Sequence, residues 1–270
     1  MSDIFVAKAD GTAQIYDSHK LVSSLRRAGA KEGVANTIAK DIEKKLWSGI
    51  STQEIYSRAF ALLREHRHAL AARYSLKRAV LDFGPSGFPF EAYIAELYRK
   101  EGYEAQVDQI VQGKCVDHEV DVVIQKGDQM IFAEAKFHNT AGFKTDLKVV
   151  LYVKARIDDI GRGSGLVVTN TKFTSKAIQY AECAGLELLA WDYPQHKTLH
   201  DRIEGVRLYP ITALTTLSNR EKTALLSDRV VLCNALPGND QALRRAGIVG
   251  PRADTVLEEV GALCIPGADI

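Results

Sequence analysis

The sequence predicts a mixed α/β protein, α+β overall. It has a helical N-terminal part opened by a small hairpin, a central part built on a mixed sheet, and a helical C-terminal region. Three observations carry this prediction. Apolar residues recur at helical spacing through most of the first 80 positions and through the tail. Several segments between 103 and 191 are short, apolar and bounded by turn residues, as strands are. One of them, 164–169, follows a crossover helix, so part of the sheet is expected to be parallel.

Taken in order, residues 5–16 alternate around Asp10-Gly11, a strong hairpin signal. Asp17 stands where an N-cap belongs, and the stretch through Ala28 carries Leu21, Val22, Leu25 and Ala28 on one stripe before Gly29 closes it. A second helix is expected over 34–47. Ser51-Thr52-Gln53-Glu54 has the capping-box pattern ahead of Ile55, Ala59, Leu62 and Leu63 and starts a third. Gly84-Pro85-Ser86-Gly87-Phe88-Pro89 interrupts every regular pattern and marks a boundary. The order expected beyond it is helix 90–101, strands 103–109, 119–125 and 130–137, helix 145–160, strand 164–169, helix 174–184 and strand 186–191. The crossover helix carries its apolar stripe on Val149, Val150, Val153, Ile157 and Ile160. Residues 193–197 break the pattern again. The tail reads as helical, with a capping box at Ser218-Asn219-Arg220-Glu221 and Gly247 closing a later helix. Three domains are therefore expected: 1–83, 88–194 and 195–270.

Composition narrows the function classes. With 270 residues, 46% hydrophobic and 26% charged, the chain sits near the globular average, which excludes disordered, collagen-like and disulfide-scaffold classes. The 147–153 stretch is far shorter than the roughly 20 residues that cross a bilayer, and it contains Lys148, so no membrane partner is expected. The first residues lack a basic segment followed by an apolar one, which makes the cytoplasm the expected location. Cys115, Cys183, Cys233 and Cys264 are too widely spaced for a zinc knuckle and read as reduced thiols. The net charge of +1 shows no global basic bias, but residues 1–80 hold 14 basic and 8 acidic side chains while the remainder is net acidic. The N-terminal third is therefore expected to meet an anion.

The informative constellation is Asp121 followed by Glu134-Ala135-Lys136. Asp121 interrupts an apolar strand, Glu119-Val120-Asp121-Val122-Val123-Ile124, where an unpaired carboxylate costs several kcal/mol unless a cation compensates it. On the following strand Ile131, Ala133, Ala135 and Phe137 share one face, which places Glu134 and Lys136 together on the other. Two oxygen ligands from adjacent strands suit a hard cation such as Mg²⁺, which keeps several waters and also takes a phosphate oxygen. Lys136 is then placed to orient or deprotonate the water, or to stabilise a phosphorane-like transition state. The residues leave that choice open. His118 and His138 flank the site and read as surface or loop histidines.

Asp121, twelve residues, then Glu134-Ala135-Lys136, in an αβββαβ order, resembles the PD-(D/E)xK nuclease superfamily, and its Mrr-type restriction endonuclease branch in particular. Phe90-Glu91, Gly102-Tyr103 and Val167-Val168-Thr169-Asn170 with Phe173-Thr174 and Ala177 share that likeness, which spans about 88–192. The resemblance implies a metal-dependent DNA endonuclease, a hydrolase of restriction or defence type using Mg²⁺ or Mn²⁺. It implies Asp121 and Glu134 as metal ligands, Lys136 as the catalytic amine and Glu91 as a further helix acid near the metal. Many Mrr-type proteins carry Gln where this chain has Glu134, a departure that favours metal binding.

Val6-Ala7-Lys8-Ala9-Asp10-Gly11, Tyr16-Asp17, Lys20-Leu21, Ser24-Leu25 and Gly49-Ile50-Ser51-Thr52-Gln53-Glu54-Ile55-Tyr56 resemble the ATP-cone, the nucleotide-sensing module of ribonucleotide reductases and their repressor. By that resemblance Lys8, Gln14, Asp17, Lys20, Thr52 and Tyr56 meet the nucleotide, with lysines pairing with phosphates. The family's usual Arg after the first Lys is Ala9 here. No Walker A spacing exists, since Gly161-Arg162-Gly163-Ser164-Gly165 reads as a turn, so ATP or dATP is expected as an effector rather than a fuel. Lys144, Lys148, Lys154, Arg156, Arg162, Lys172 and Lys176 either follow a DNA backbone or form a solvated face of two helices. The tail's 243–248 stretch has a helix-hairpin-helix flavour that a helix C-cap also explains. The reading is a nucleotide-regulated DNA endonuclease, expected to form homo-oligomers. The alternative is a nucleotide-sensing DNA-binding regulator or assembly module without cleavage activity.

Overall fold

The computed structural model describes residues 4–8 and 11–265. The first two positions of the Ala9-Asp10-Gly11 tip lie outside the described residues. The chain forms two compact units: 1–76 with 213–218 and 249–270, and 77–212 with 219–248. The mixed α/β class predicted from the sequence is the one observed. Among the described residues no helix is long and apolar enough to cross a membrane.

In the first unit, β1 (Phe5–Ala7) and β2 (Ala13–Ile15) form the hairpin, with Phe5 opposite Ile15. α1 (Ser18–Arg27) follows, N-capped by Asp17, whose side chain accepts from the His19 amide. α2 (Glu32–Glu43) begins two residues before the predicted 34–47 helix and ends four residues earlier. Glu32 in its first turn complements the helix dipole, and the chain must be extended by Ile50 to form β3 (Ile50–Ser51), which pairs in parallel with β1. α3 (Thr52–His66) opens with the predicted capping box, Ser51 and Glu54 bonding reciprocally. α4 (His68–Tyr74) completes the helical layer. Leu25, Ala35, Ile42, Ile50, Ala59 and Leu63 are fully buried between these helices and the sheet. α5 (Leu76–Leu81) carries the chain into the second unit.

The second unit is a five-stranded mixed sheet. α6 (Phe88–Lys100), β4 (Glu104–Gln112), β5 (Asp117–Lys126) and β6 (Gln129–Lys136) come first. After the two-residue β7 (Lys144–Thr145), α7 (Leu147–Ile160) makes the crossover to β8 (Ser164–Thr169). The short β9 (Lys172–Phe173), α8 (Ser175–Ala184) and β10 (Glu187–Leu189) complete it. The sheet order is β10-β8-β6-β5-β4. β4, β5 and β6 form an antiparallel meander, while β8 pairs in parallel with β6 and with β10, so the sheet is mixed and parallel around the 164–169 strand as expected. α7 starts two residues later than predicted because Lys144 and Thr145 pair with β9 and Asp146 caps the helix at the Lys148 amide. β10 is shorter than the predicted 186–191 strand because Ala190 turns back to bridge Tyr193. Phe90, Tyr93, Ile94 and Leu97 on α6 have no exposed surface. Burial of each such side chain stabilises the fold by about 1.5–3 kcal/mol, which holds α6 on the sheet.

The C-terminal residues are shared between the units. α9 (Leu199–Gly205), α10 (Asn219–Ser227) and α11 (Asp240–Arg245) lie in the second, and α12 (Pro251–Cys264) lies in the first. Gly247, at φ 81°, follows α11 where a left-handed residue ends a helix.

Candidate functional site

The central acid site forms where the sheet splits. β5 and β6 pair from Lys126↔Gln129 to Val122↔Ala133 and then part. β6 continues beside β8 through Glu134↔Val167 and Lys136↔Thr169. The Ala135 amide donates instead to Asp121 Oδ2 at 2.7 Å, so a side chain stands in for the missing strand partner. On the other flank the β4–β5 ladder has Val107↔Val122 and Gln109↔Val120 but no pair between Asp108 and Asp121. Asp108 has φ 58°, a left-handed conformation that Asp tolerates better than most residues.

Glu134 is buried, 4% exposed. Its Oε2 accepts from Arg156 Nη1 at 2.6 Å, and Lys136 Nζ lies 2.5 Å from its Oε1. Arg156, equally buried on α7, also donates from Nη2 to the Tyr152 hydroxyl at 2.9 Å, with its guanidinium 4.7 Å over that ring. Sequence reasoning placed Glu134 and Lys136 on one face, and they share it. It assigned Arg156 to a surface cluster, which the structure corrects, because Arg156 is the buried partner of Glu134. A signal was present: Val149, Val153, Arg156 and Ile160 follow helical spacing, so Arg156 is a cation set in an apolar stripe.

Glu91 enters from the first turn of α6. Burial, then the charges of Asp121, Asp108, Glu134 and Glu119, push its carboxyl up to about 7. Burial and Glu134 raise Asp121 as well, against the Ala135 amide, Lys136 and Arg156. Burial and neighbouring like charge thus favour the neutral forms of both Glu91 and Asp121. Asp108 and Glu119, whose charges also reach Glu91, do not stand out in the sequence because each is an exposed acid on a strand.

The flanking histidines are engaged elsewhere. His118 Nε2 lies 2.8 Å from Asp159 on α7. The His138 backbone exchanges two hydrogen bonds with the Asn170 side chain, and its ring stacks on Phe143. Within the basic cluster, Lys154 pairs with Asp158 and Lys172 with Asp192, while Lys144, Lys148 and Lys176 are exposed.

In the first unit, Lys8, Gln14, Asp17, Lys20, Thr52 and Tyr56 line one pocket of ≈ 240 Å³, together with Val6, Tyr16, Leu21, Ile55 and Tyr74. The hairpin supplies Lys8 and Gln14, the first turn of α1 supplies Lys20, and Thr52 is the first residue of α3. The Tyr56 ring stacks on Tyr74 at 5.1 Å, giving the pocket an aromatic wall. Two helix N-termini and two lysines at one pocket favour an anion.

Residues 4–81 match the ATP cone domain, residues 85–195 the restriction endonuclease family, and residues 209–264 the AF1548-like C-terminal domain. An uncharacterized protein of Archaeoglobus fulgidus is 34% identical over 170 residues, covering 62% of this chain and 97% of that protein. The crystal structure of AF1548, a protein of unknown function, is similar at a TM-score of 0.56 and 31% identity, over 66% of this chain and 98% of that one. The MspJI restriction endonuclease in complex with a 27-mer oligonucleotide is a remote neighbour, with a TM-score of 0.33 and 17% identity over 45% of this chain and 29% of that one.

Proposed function

We propose, from the premise that this chain belongs to the AF1548-like family and joins a restriction endonuclease domain to an ATP cone, that it is a divalent-metal-dependent DNA endonuclease governed by a nucleotide bound in the cone. The observation that carries this reading is the fork between β5 and β6, where Asp121 bonds the Ala135 amide beside the Glu134–Lys136 pair and both acids raise the Glu91 carboxyl.

The donor set fits a hard cation. Asp121 spends Oδ2 on the Ala135 amide and leaves Oδ1 without a hydrogen bond among the described residues. Each carboxylate oxygen has about two lone-pair sites, so Glu134 retains acceptor capacity beside Arg156 and Lys136. Asp121 and Glu134 would hold Mg²⁺ or Mn²⁺, with Glu91 near it. Among the described residues no group of three or more His, Cys, Asp or Glu side chains could hold a metal ion by itself, so water and a phosphate oxygen would complete the shell. When bound, the ion would neutralise phosphoryl charge and acidify a water. The chain's own part follows from the geometry. Arg156 fixes the Glu134 carboxylate, and Asp121 is fixed by the Ala135 amide. The partly exposed Lys136 ammonium lies where it can orient a water or meet negative charge on a phosphate.

In the cone, Lys8 and Lys20 would pair with phosphates and the aromatic wall of Tyr56 and Tyr74 would take the base. ATP or dATP would act by binding one state of the protein better than another. A non-cleaving regulator or assembly module remains the rival, favoured by one observation: both Glu134 oxygens already have cationic partners. Cleavage of modified and unmodified plasmids with Mg²⁺, Mn²⁺ or EDTA, beside the Asp121→Asn variant, separates the two. Metal-dependent cutting lost in the variant supports the nuclease. Binding without cutting under every metal supports the rival. Light scattering with and without nucleotide tests homo-oligomer formation.

A further inference from the structure

We propose that Phe143 is a stacking platform for an unpaired nucleic-acid base beside the acid site, so that the substrate class is DNA carrying at least one base out of its helix. The inference rests on the nuclease reading for its location and on separate observations for its chemistry.

Phe143 is 60% exposed, on the loop between β6 and β7. A single exposed apolar side chain is ordinary, but this one is mounted. Its ring lies 5.7 Å from that of His138 with an interplanar angle of 9°, so one face is backed by imidazole. His138 is clamped at its backbone by Asn170: its amide donates to Asn170 Oδ1 at 2.9 Å, its carbonyl accepts from Asn170 Nδ2 at 2.7 Å, and its Nε2 lies 3.3 Å from Thr145 Oγ1. Directly after Phe143 the chain pairs with β9 through Lys144↔Lys172 and Thr145↔Phe173. A ring backed on one face, on a backbone that runs straight into a paired strand, loses little entropy when a flat partner is added to its free face. Burial and the nearby Lys136 charge hold His138 below its usual range, which keeps the imidazole neutral.

Position supplies the rest. His138 follows Lys136 by two residues, so the platform starts where the acid site ends. Tyr152, which carries the Arg156 guanidinium that holds Glu134, is 56% exposed. Lys144 and Lys148 are exposed between these two aromatics in sequence. Two exposed rings with two exposed lysines between them in sequence suit a strand of stacked bases and phosphates. A protein partner would call for contiguous apolar area, whereas Phe143 is flanked by Thr140, Gly142 and Lys144. In an intact duplex both faces of each base are already stacked, which is why the partner is an unpaired base.

The test is fluorescence anisotropy on the full chain in EDTA, with a labelled single strand, a duplex carrying one bulged base, and the perfect duplex. Base–aromatic stacking is worth about 1–3 kcal/mol, so Phe143→Ala is expected to weaken the first two by about 5- to 150-fold and to leave the perfect duplex nearly unchanged. Phe143→Trp should retain the preference, and Lys144→Ala should weaken all three and lower the salt slope by about 1. Equal binding by Phe143→Ala, or an equal loss on all three DNAs, overturns the platform. Plasmid cleavage measured alongside keeps the two readings apart. Cutting that is indifferent to Phe143 with no preference for unpaired bases sinks the platform and leaves the nuclease. A Phe143-dependent preference without cutting under any metal keeps the platform and sinks the nuclease.

Discussion

Arg156→Met tests how the acid site is held. The substitution keeps the volume of the side chain and removes its charge, leaving Glu134 at 4% exposure with only Lys136 for a partner. The Lys136 side chain is 39% exposed and therefore solvated, so it compensates poorly for a buried carboxylate. Removing one partner of a buried ion pair costs about 3–5 kcal/mol. The lost bond to Tyr152 adds little, because that residue is 56% exposed and water replaces the guanidinium. The expected loss is thus about 3–5 kcal/mol, or roughly two to four decades in the local opening equilibrium. With two units in the chain a single melting temperature is ill defined, so the assay is native-state hydrogen exchange read over β6 and α7. Adding Glu134→Gln should recover part of the loss, since the double variant buries no unpaired charge, and the coupling should lie between about 0.5 and 3 kcal/mol. A loss below about 1 kcal/mol in Arg156→Met would refute the buried clamp, because only a solvated pair is worth so little.

Asp121→Asn and Glu134→Gln should both abolish metal-dependent cleavage, yet only the second should lower stability. The first relieves a carboxyl that burial and Glu134 hold above its usual range, and the Asn carbonyl can still accept the Ala135 amide, so exchange over β6 should slow or stay unchanged. The second strands Arg156 and should speed it. Glu91 sets a pH dependence: its carboxyl is raised from 4.5 to about 7 in the fold, so its contribution is fully present below 4.5 and is lost as pH rises to about 7. The second unit should therefore show a lower urea midpoint at pH 8 than at pH 5, and Glu91→Gln should flatten that difference. In the cone, Lys8→Ala with Lys20→Ala should remove ATP or dATP binding, measured calorimetrically on the full chain, together with any nucleotide effect on mass or cleavage rate. A coupling of about 1–3 kcal/mol makes that effect 5- to 150-fold, and unchanged binding in the double variant would move the nucleotide elsewhere.

What the sequence made legible was periodic and local. The 164–169 strand, the capping box at Ser51 and the Asp17 cap come from short-range chemistry, and each is in place. Asp121, Glu134 and Lys136 stood out because charges inside apolar strands are costly. The arrangement around them was harder to read. The split between β5 and β6 depends on the Asp121 side chain replacing a backbone partner, and nothing in the alternation signals that exchange. Arg156 lies 22 residues from Glu134 and reads as one of several lysines and arginines until the stripe of α7 is aligned. β3 has two residues, too few for any periodicity, and exists because β1 offers it a parallel edge.

The division of the C-terminal residues bears most on how regulation is to be tested. α12 belongs to the first unit, with Val256, Val260 and Leu263 buried at 0%, 2% and 0% exposure. Glu259, itself buried, accepts four hydrogen bonds, from the amides of Thr215 and Thr216 at 2.8 and 2.9 Å and from their hydroxyls at 2.8 and 2.6 Å. Thr215 in turn meets His68 Nδ1 on α4 at 2.5 Å. A fragment cut near residue 82 would lose that helix and the 213–218 segment and would expose the apolar surface of α4 that α12 covers. Each buried donor or acceptor left unsatisfied costs about 1–3 kcal/mol, so the nucleotide unit is expected to be compromised as an isolated N-terminal fragment. The chain also passes between the units four times, at 76/77, 212/213, 218/219 and 248/249. A change that a bound nucleotide made in the first unit would therefore have four covalent connections to the second, where a simple tandem of domains would have one. That is why substitution within the intact chain, rather than truncation, is the informative perturbation for nucleotide control.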